Sequence, residues 1–186
     1  MTVVGTSAPA SGGEHLLSHT LDMVADVRGQ RHDLHGRQVG VGTIVSAALY
    51  ERVLAVENPE PAGMPETIDQ DFWGNPALIE AVRSQYEAKR ASVERVRRAI
   101  LAEGGWDGLR ARLAEATRRP QSIRDWLRRA GAAVTAADIG CSRDALRAAL
   151  LHMHEIRKRF TIVDLAWMLG ILPAATDEII DEWLMS

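Results

Sequence analysis

This sequence has a single cysteine, no long hydrophobic run and a small net charge. The single cysteine, Cys141, cannot form an internal disulfide, so nothing indicates an oxidising compartment. No apolar run approaches the length of about 20 residues that spans a bilayer. The first residues, MTVVGTSAPASGG, lack the basic and apolar regions of a signal peptide. We therefore expect a cytoplasmic protein without a membrane span.

The charge balance argues against nucleic acid and anionic membranes as partners. The formal net charge is −3 over 186 residues, so no overall basic field favours nucleic acid or an anionic membrane. Arginine-rich stretches such as ERVRR (94–98) are interleaved with acidic residues, which is typical of solvated helix faces. Nucleic acid is therefore not an expected partner. The length suits one domain with its own core, and we expect residues 1–186 to form a single domain.

Apolar residues recur at three- and four-residue steps along most of the chain, which indicates amphipathic helices. The stripe Val41, Ile44, Val45, Ala48, Leu49 and Val53 is so apolar that we expect its helix to be central. Only TVVG (2–5) resembles the end of a strand. The pattern predicts an all-α fold of seven or eight helices, with a proline-rich loop over 57–76. The helices are expected at about 12–28, 36–56, 76–102, 106–117, 122–130 and 142–159, after Thr161, and near the C terminus.

Four of the six histidines lie in the first thirty-five residues, in SGGEHLLSH and GQRHDLHG. His15 and His19 are four residues apart, so their rings share a helix face and both could reach one metal ion. The zinc-protease motif HExxH is absent, because residue 16 is leucine. His35 lies at a loop-to-helix junction, where it would serve as a ligand from a second helix or as a capping side chain. A third ligand, usually a carboxylate, is not evident nearby.

The glycine-rich stretches do not predict a nucleotide site. GTSAPASGG precedes a helix, as a phosphate cradle would, yet it matches neither phosphate-binding glycine motif. GRQVGVG falls inside a helix, where Gly40 and Gly42 are expected to permit close helix packing. No βαβ unit is predicted, so we do not expect this chain alone to bind a nucleotide. Cys141 has no neighbouring catalytic motif, and His152 and His154 lie on different helix faces.

Three blocks, GTSAPASGGEHLLSHTLDM, HGRQVGVGTIVSAALYERVL and IRKRFTIVDLAWMLGIL, together resemble the sn-glycerol-1-phosphate dehydrogenases. That family belongs to the superfamily of 3-dehydroquinate synthase, glycerol dehydrogenase and the iron-containing alcohol dehydrogenases. The resemblance covers essentially the whole chain but only the helical, C-terminal half of the family. It implies a helical bundle like the C-terminal metal-binding domain of the dehydroquinate synthase-like fold.

The resemblance also implies a site. A divalent metal, usually zinc, is held in the family by an acidic residue from the N-terminal half and by two histidines, which His15 and His35 match. His19 matches a catalytic residue that faces the substrate and is associated with phosphate contact and proton transfer, and Ser11 is expected to be a further substrate-binding residue. His15 and His19 are then not both metal ligands. The implied reaction is NAD(P)-dependent reduction of dihydroxyacetone phosphate, with the metal as a Lewis acid.

Two positions depart from the family pattern and keep alternatives open. Ala8 replaces an arginine before the proline of SAPASG, and Arg37 replaces a glutamate after HG. Either change could retune the phosphorylated substrate. We therefore also consider a dehydroquinate-synthase-like or other phosphorylated-carbonyl enzyme, and a degenerate helical binding module. Turnover would need a nucleotide-binding N-terminal half or split subunit as partner, so this chain alone is expected to be inactive. A homo-oligomer is left open.

Overall fold

The computed structural model describes residues 12–185, and over this range it is all-helical with no strand, as predicted. The strand-like TVVG lies outside the described residues. Within them a 3₁₀ helix, Ala137–Ile139, separates the sixth and seventh of nine α-helices. The α-helices are α1 Gly13–Arg28, α2 His35–Leu54, α3 Gln70–Trp73, α4 Pro76–Leu101, α5 Gly105–Ala116, α6 Pro120–Arg129, α7 Arg143–His152, α8 Ile162–Met168 and α9 Thr176–Trp183.

Helices α1 and α2 form an antiparallel hairpin that carries all the predicted metal ligands. Leu16 and Leu17 of α1 are buried against the core, which fixes the inner face of the helix. Helix α1 ends at Gly29, whose φ of 61° lies in the left-handed region that glycine adopts without strain. The chain reverses there and enters α2 six residues later.

The second helix is central, as its apolar stripe predicts. It packs on α1, α5, α6, α8 and α9. Val41, Ile44 and Leu49 are completely buried, because a helix surrounded by others must be apolar around most of its circumference.

Gly42 allows the closest approach in the hairpin. A Cβ atom at this position would lie 2.3 Å from the backbone oxygen of Glu14, so the backbones of α1 and α2 are in direct contact. At Gly40 the nearest atom to such a Cβ is the backbone oxygen of Ala133, at 3.3 Å. The prediction of close helix packing is confirmed at Gly42, whereas Gly40 lies against Ala133, which is outside the helices.

Helix starts follow the capping signals in the sequence. Pro76 occupies the first turn of α4, and the Asn75 side chain before it accepts hydrogen bonds from two backbone N–H groups. The Ser142 hydroxyl caps α7 by accepting from the N–H of Ala145. Thr161 and Asp164 form a capping box at the start of α8, as Thr161 predicts.

Two elements differ from the prediction. Helix α7 ends at His152 rather than near residue 159, because Glu155 turns into the interior, where its carboxylate accepts a 2.6 Å hydrogen bond from the Trp73 indole. Trp73 belongs to α3, a four-residue helix inside the segment predicted as loop. A tertiary contact between these two segments therefore overrides the local helical pattern.

A buried ion pair links α4 to α8. The Lys89 ammonium lies 2.7 Å from the Asp164 carboxylate, and the two side chains are 1% and 0% exposed. Lys89 also donates to the backbone oxygen of His154, and Asp164 accepts from the N–H and hydroxyl of Thr161. Within residues 12–185 no helix combines the length and apolarity needed to cross a membrane.

Candidate metal and substrate site

The structure brings His15, His19 and His35 together where the first turns of α1 lie beside the start of α2. His15 and His19 are one turn apart on the same face of α1, as their spacing predicts, and His35 is the first residue of α2. The ring centroid of His35 lies 5.2 Å from that of His15 and 5.1 Å from that of His19. His35 does not serve as the N-cap of α2, since Leu34 holds that position.

The nitrogen spacing in this cluster suits one metal ion. The Nε2 atom of His35 lies 3.2 Å from the Nδ1 atom of His15. Two nitrogen ligands at 2.0–2.1 Å on a tetrahedral zinc are separated by roughly 3.3 Å, so this pair is already at ligand spacing. With His19 included, the three candidate ligand atoms lie within 4.8 Å of one another. Imidazole donors fit zinc and similar divalent metals.

Carboxylates lie near the cluster without joining it. The nearest Glu14 oxygen is 3.9 Å from Nε2 of His15, and an Asp22 oxygen is 3.8 Å from Nδ1 of His35. Among residues 12–185 the three histidines form the one group with metal-binding geometry, and it contains no acidic side chain. The described part of the chain thus supplies nitrogen ligands and no carboxylate ligand.

A buried hydrogen-bond chain supports His35 from the inside. The Ser18 hydroxyl oxygen lies 2.8 Å from Nδ1 of His35, and the same hydroxyl donates to the Gln38 side-chain oxygen at 2.7 Å. Ser18 is fully buried and Gln38 almost so. Sequence reasoning missed both residues, although each lies three positions after a predicted ligand and therefore on the same helix face.

His19 faces a second feature, a cavity of about 260 Å³. The cavity is lined by His19, Met23, Gln85, Ile156 and Arg157. Burial lowers the pKa of His19, and the positive charge of Arg157 lowers it further, with His35 and His15 adding to the effect and Asp22 opposing it. Arg157 belongs to the IRKRF stretch, to which no role was assigned from the sequence.

Arg37, the residue that departs from the family pattern after HG, is paired within the chain. Its guanidinium lies 2.7 Å from the Asp33 carboxylate and also donates to the backbone oxygen of Asp138, at the 3₁₀ helix. Arg37 is therefore committed to holding the start of α2 against that helix. Two other predicted positions, Ser11 and Ala8, lie outside the described residues.

The remaining reactive residues have separate environments. His154 is buried against Trp167, at 4.5 Å between ring centroids, whereas His152 stacks on Phe72 at 3.8 Å. Burial raises the pKa of the half-buried Cys141 thiol to about 11, so this thiol is protonated at neutral pH. None of the three belongs to the histidine cluster.

Comparison with known proteins gives this geometry a context. No family model matches the chain, and no solved structure matches it. The chain is 27% identical over 173 residues to the glycerol-1-phosphate dehydrogenase [NAD(P)+] of Bacillus licheniformis, which covers 93% of this chain and 32% of the relative. The enzyme of that name from Methanosarcina barkeri is 27% identical over 180 residues, 96% of this chain and 30% of the relative.

A shorter segment is more similar. Over 50 residues, 27% of this chain and 13% of the relative, identity to the Pyrococcus horikoshii enzyme of the same name is 52%. The chain is similar to glycerol-1-phosphate dehydrogenases over most of its length. The resemblance predicted from its sequence motifs is confirmed, and so is its all-α fold. The chain spans about a third of the length of the Bacillus and Methanosarcina relatives.

Proposed function

We propose that this chain is the metal- and substrate-binding part of an NAD(P)-dependent glycerol-1-phosphate dehydrogenase that reduces dihydroxyacetone phosphate. The observation that carries the proposal is the cluster of His15, His19 and His35, the three histidines to which the resemblance assigns the metal and substrate roles. The relatives are named as NAD(P)-dependent dehydrogenases, which supports the choice of cofactor.

His15 and His35 would hold the metal. The inner nitrogen of His35 is held by Ser18, so the ligand atom would be its outer nitrogen, which lies 3.2 Å from the facing nitrogen of His15. A bound zinc or other divalent ion would supply Lewis acidity toward a carbonyl oxygen. Two protein nitrogens are fewer than the three protein ligands usual for catalytic zinc, so a further ligand must come from His19 or from outside this chain.

His19 and Arg157 would bind the phosphate end of the substrate. Both line the cavity next to the histidine cluster. A phosphoryl group there would accept charge-assisted hydrogen bonds from the guanidinium. His19 lies between this cavity and the other two histidines, where it can contact the substrate and exchange a proton with it.

Nucleotide binding and turnover would need residues beyond these 186, in the same polypeptide or in a separate subunit. The sequence has no glycine-rich dinucleotide motif and the described residues contain no strand, so the fold that usually binds NAD(P) is not among them. Hydride transfer requires the donor and the ketone to lie within about 3–3.5 Å of each other. We therefore propose a nucleotide-binding half as the partner.

Metal titration of the 186-residue chain tests the ligand assignment. We expect weak Co²⁺ or Zn²⁺ binding that is lost in His35→Ala and in His15→Ala. His32→Ala is the matched control, because His32 lies in the same loop region but outside the cluster. Tight binding that survives removal of both His15 and His35 would contradict the assignment.

Activity assays test whether nucleotide binding and turnover need a nucleotide-binding half. The 186-residue chain should neither bind NADH or NADPH nor reduce dihydroxyacetone phosphate. A chimaera that joins it to the nucleotide-binding part of the Bacillus licheniformis relative should gain metal affinity, nucleotide binding and turnover together, because all three share one cleft. Saturable nucleotide binding with turnover by the chain alone would refute the proposal, and a folded chimaera that binds nucleotide without turnover would favour a degenerate module.

A further inference from the structure

The hydrogen bonds behind His35 define which of its two ring nitrogens carries the proton. A hydroxyl group has one hydrogen to donate. The Ser18 hydroxyl lies 2.7 Å from the Gln38 side-chain oxygen, to which it donates, and 2.8 Å from Nδ1 of His35. Since that hydrogen is used by Gln38, the contact with His35 requires Nδ1 to be the donor.

The opposite nitrogen is then unprotonated in the neutral ring. This is Nε2 of His35, which faces His15 at 3.2 Å and is the atom at metal-ligand spacing. Metal-binding histidines commonly donate their second ring N–H to a neighbouring acceptor, which fixes the tautomer and the ring orientation. A serine hydroxyl polarised by a buried amide oxygen would be that acceptor here.

We infer that Ser18 and Gln38 are positioning residues that hold His35 in the Nδ1–H tautomer and so preorganise Nε2 as a metal ligand. The inference rests on the proposed metal site. Neither residue belongs to the group of candidate metal ligands. Both are buried although their side chains are polar, a placement that is costly unless the hydrogen bonds they make are satisfied.

Asp22 is the competing acceptor for the same ring nitrogen. Its carboxylate lies 3.8 Å from Nδ1 of His35, beyond hydrogen-bond distance, while Ser18 lies at 2.8 Å. Asp22→Asn therefore serves as a matched control, because it removes a nearby charge and leaves the Ser18 contact in place.

The experiment measures tautomer and metal affinity separately. Imidazole ¹⁵N shifts of His35 in the metal-free chain, recorded at mildly alkaline pH, report which ring nitrogen is protonated. Wild type and Asp22→Asn should show the Nδ1–H form. Ser18→Ala should lose the preference, and Gln38→Met should shift the ring toward Nε2–H, because the Ser18 hydroxyl becomes free to donate. Ser18→Thr, which keeps the hydroxyl, should restore the Nδ1–H form.

Cobalt affinity should follow the tautomer. Removing such a supporting partner typically weakens metal binding about 10- to 100-fold, so we expect that loss in Ser18→Ala and Gln38→Met but not in Asp22→Asn. Helical circular dichroism spectra check that each variant is folded. An Nε2–H ring in the wild type, or an unchanged tautomer in both folded variants, would overturn the inference. A correct tautomer in a chain that binds no cobalt would instead refute the proposed metal site alone.

Discussion

Gly42→Ala should pull the two halves of the histidine cluster apart. The added Cβ would lie 2.3 Å from the Glu14 oxygen, 3.0 Å from its carbonyl carbon and 3.2 Å from its Cα. Ordinary contact begins at 3.4 Å, so the backbone of α1 must retreat by about 1 Å. Glu14 adjoins His15, and a shift of that size would widen the 3.2 Å gap between His15 and His35 beyond ligand spacing.

The expected cost in stability combines two opposing effects. Overpacking of a filled interior costs about 1–3 kcal/mol, and the upper end applies because the contacted atoms are backbone and cannot rotate away. Replacing a mid-helix glycine by alanine recovers about 1 kcal/mol of helix propensity. We therefore expect the free energy of unfolding of Gly42→Ala to fall by about 2 kcal/mol.

Gly40→Ala is the matched control, because it gains the same propensity in the same helix. Its Cβ would lie 3.3 Å from the Ala133 oxygen, so a shift of about 0.1 Å suffices and stability should be unchanged or slightly higher. Urea unfolding followed by circular dichroism measures the difference, and cobalt titration should show at least about tenfold weaker binding in Gly42→Ala alone. Equal stability and equal cobalt affinity in the two variants would show that the backbone contact does not set the ligand spacing.

Three further predictions concern two buried groups and the cavity lined by His19 and Arg157. Lys89→Met should lower the free energy of unfolding by about 3–5 kcal/mol, because it leaves the Asp164 carboxylate buried without its cation. In denaturant titrations, the double variant Lys89→Met with Asp164→Asn should recover part of that loss. Burial lowers the pKa of His154 to about 3, so stability should fall as the pH drops below about 6.5, by up to about 1.4 kcal/mol per pH unit, and His154→Phe should remove that contribution from the pH profile. In the active chimaera, His19→Ala and Arg157→Gln should each lower kcat/KM for a phosphorylated ketone about ten- to a hundredfold more than for its unphosphorylated analogue. Equal effects on kcat/KM for both substrates would show that these residues do not bind the phosphate.

The sequence predicted those parts of the structure that depend on local signals. Hydrophobic periodicity identified α2 as central, and capping residues such as Ser142 and Thr161 marked helix starts. The spacing of His15 and His19 predicted a shared helix face, because the helical repeat alone decides it. The sequence left His35 open as a ligand from a second helix or as a capping side chain, since no local rule places two helices beside each other, and only the family resemblance favoured the ligand.

Features that depend on distant contacts could not be predicted from the sequence. The early end of α7 follows from a hydrogen bond between Glu155 and Trp73, which are 82 residues apart. Arg157 reaches the His19 cavity only because of tertiary packing, and its sequence neighbours give no sign of this. Arg37, which departs from the family pattern, is paired with Asp33, a contact that the sequence motifs did not predict.

The two sides of the histidine cluster differ in a way that suits a partial site. On the inner side the nitrogen of His35 is held by a fully buried serine, and the close approach at Gly42 fixes α1 against α2. On the outer side the His35 side chain remains 46% exposed. Ligands that are rigidly supported from within and open to solvent outside need little rearrangement when a second wall closes over them. A free chain of this kind should bind metal weakly for lack of ligands rather than for lack of order, so a partner that adds one carboxylate should raise the affinity without changing the hairpin.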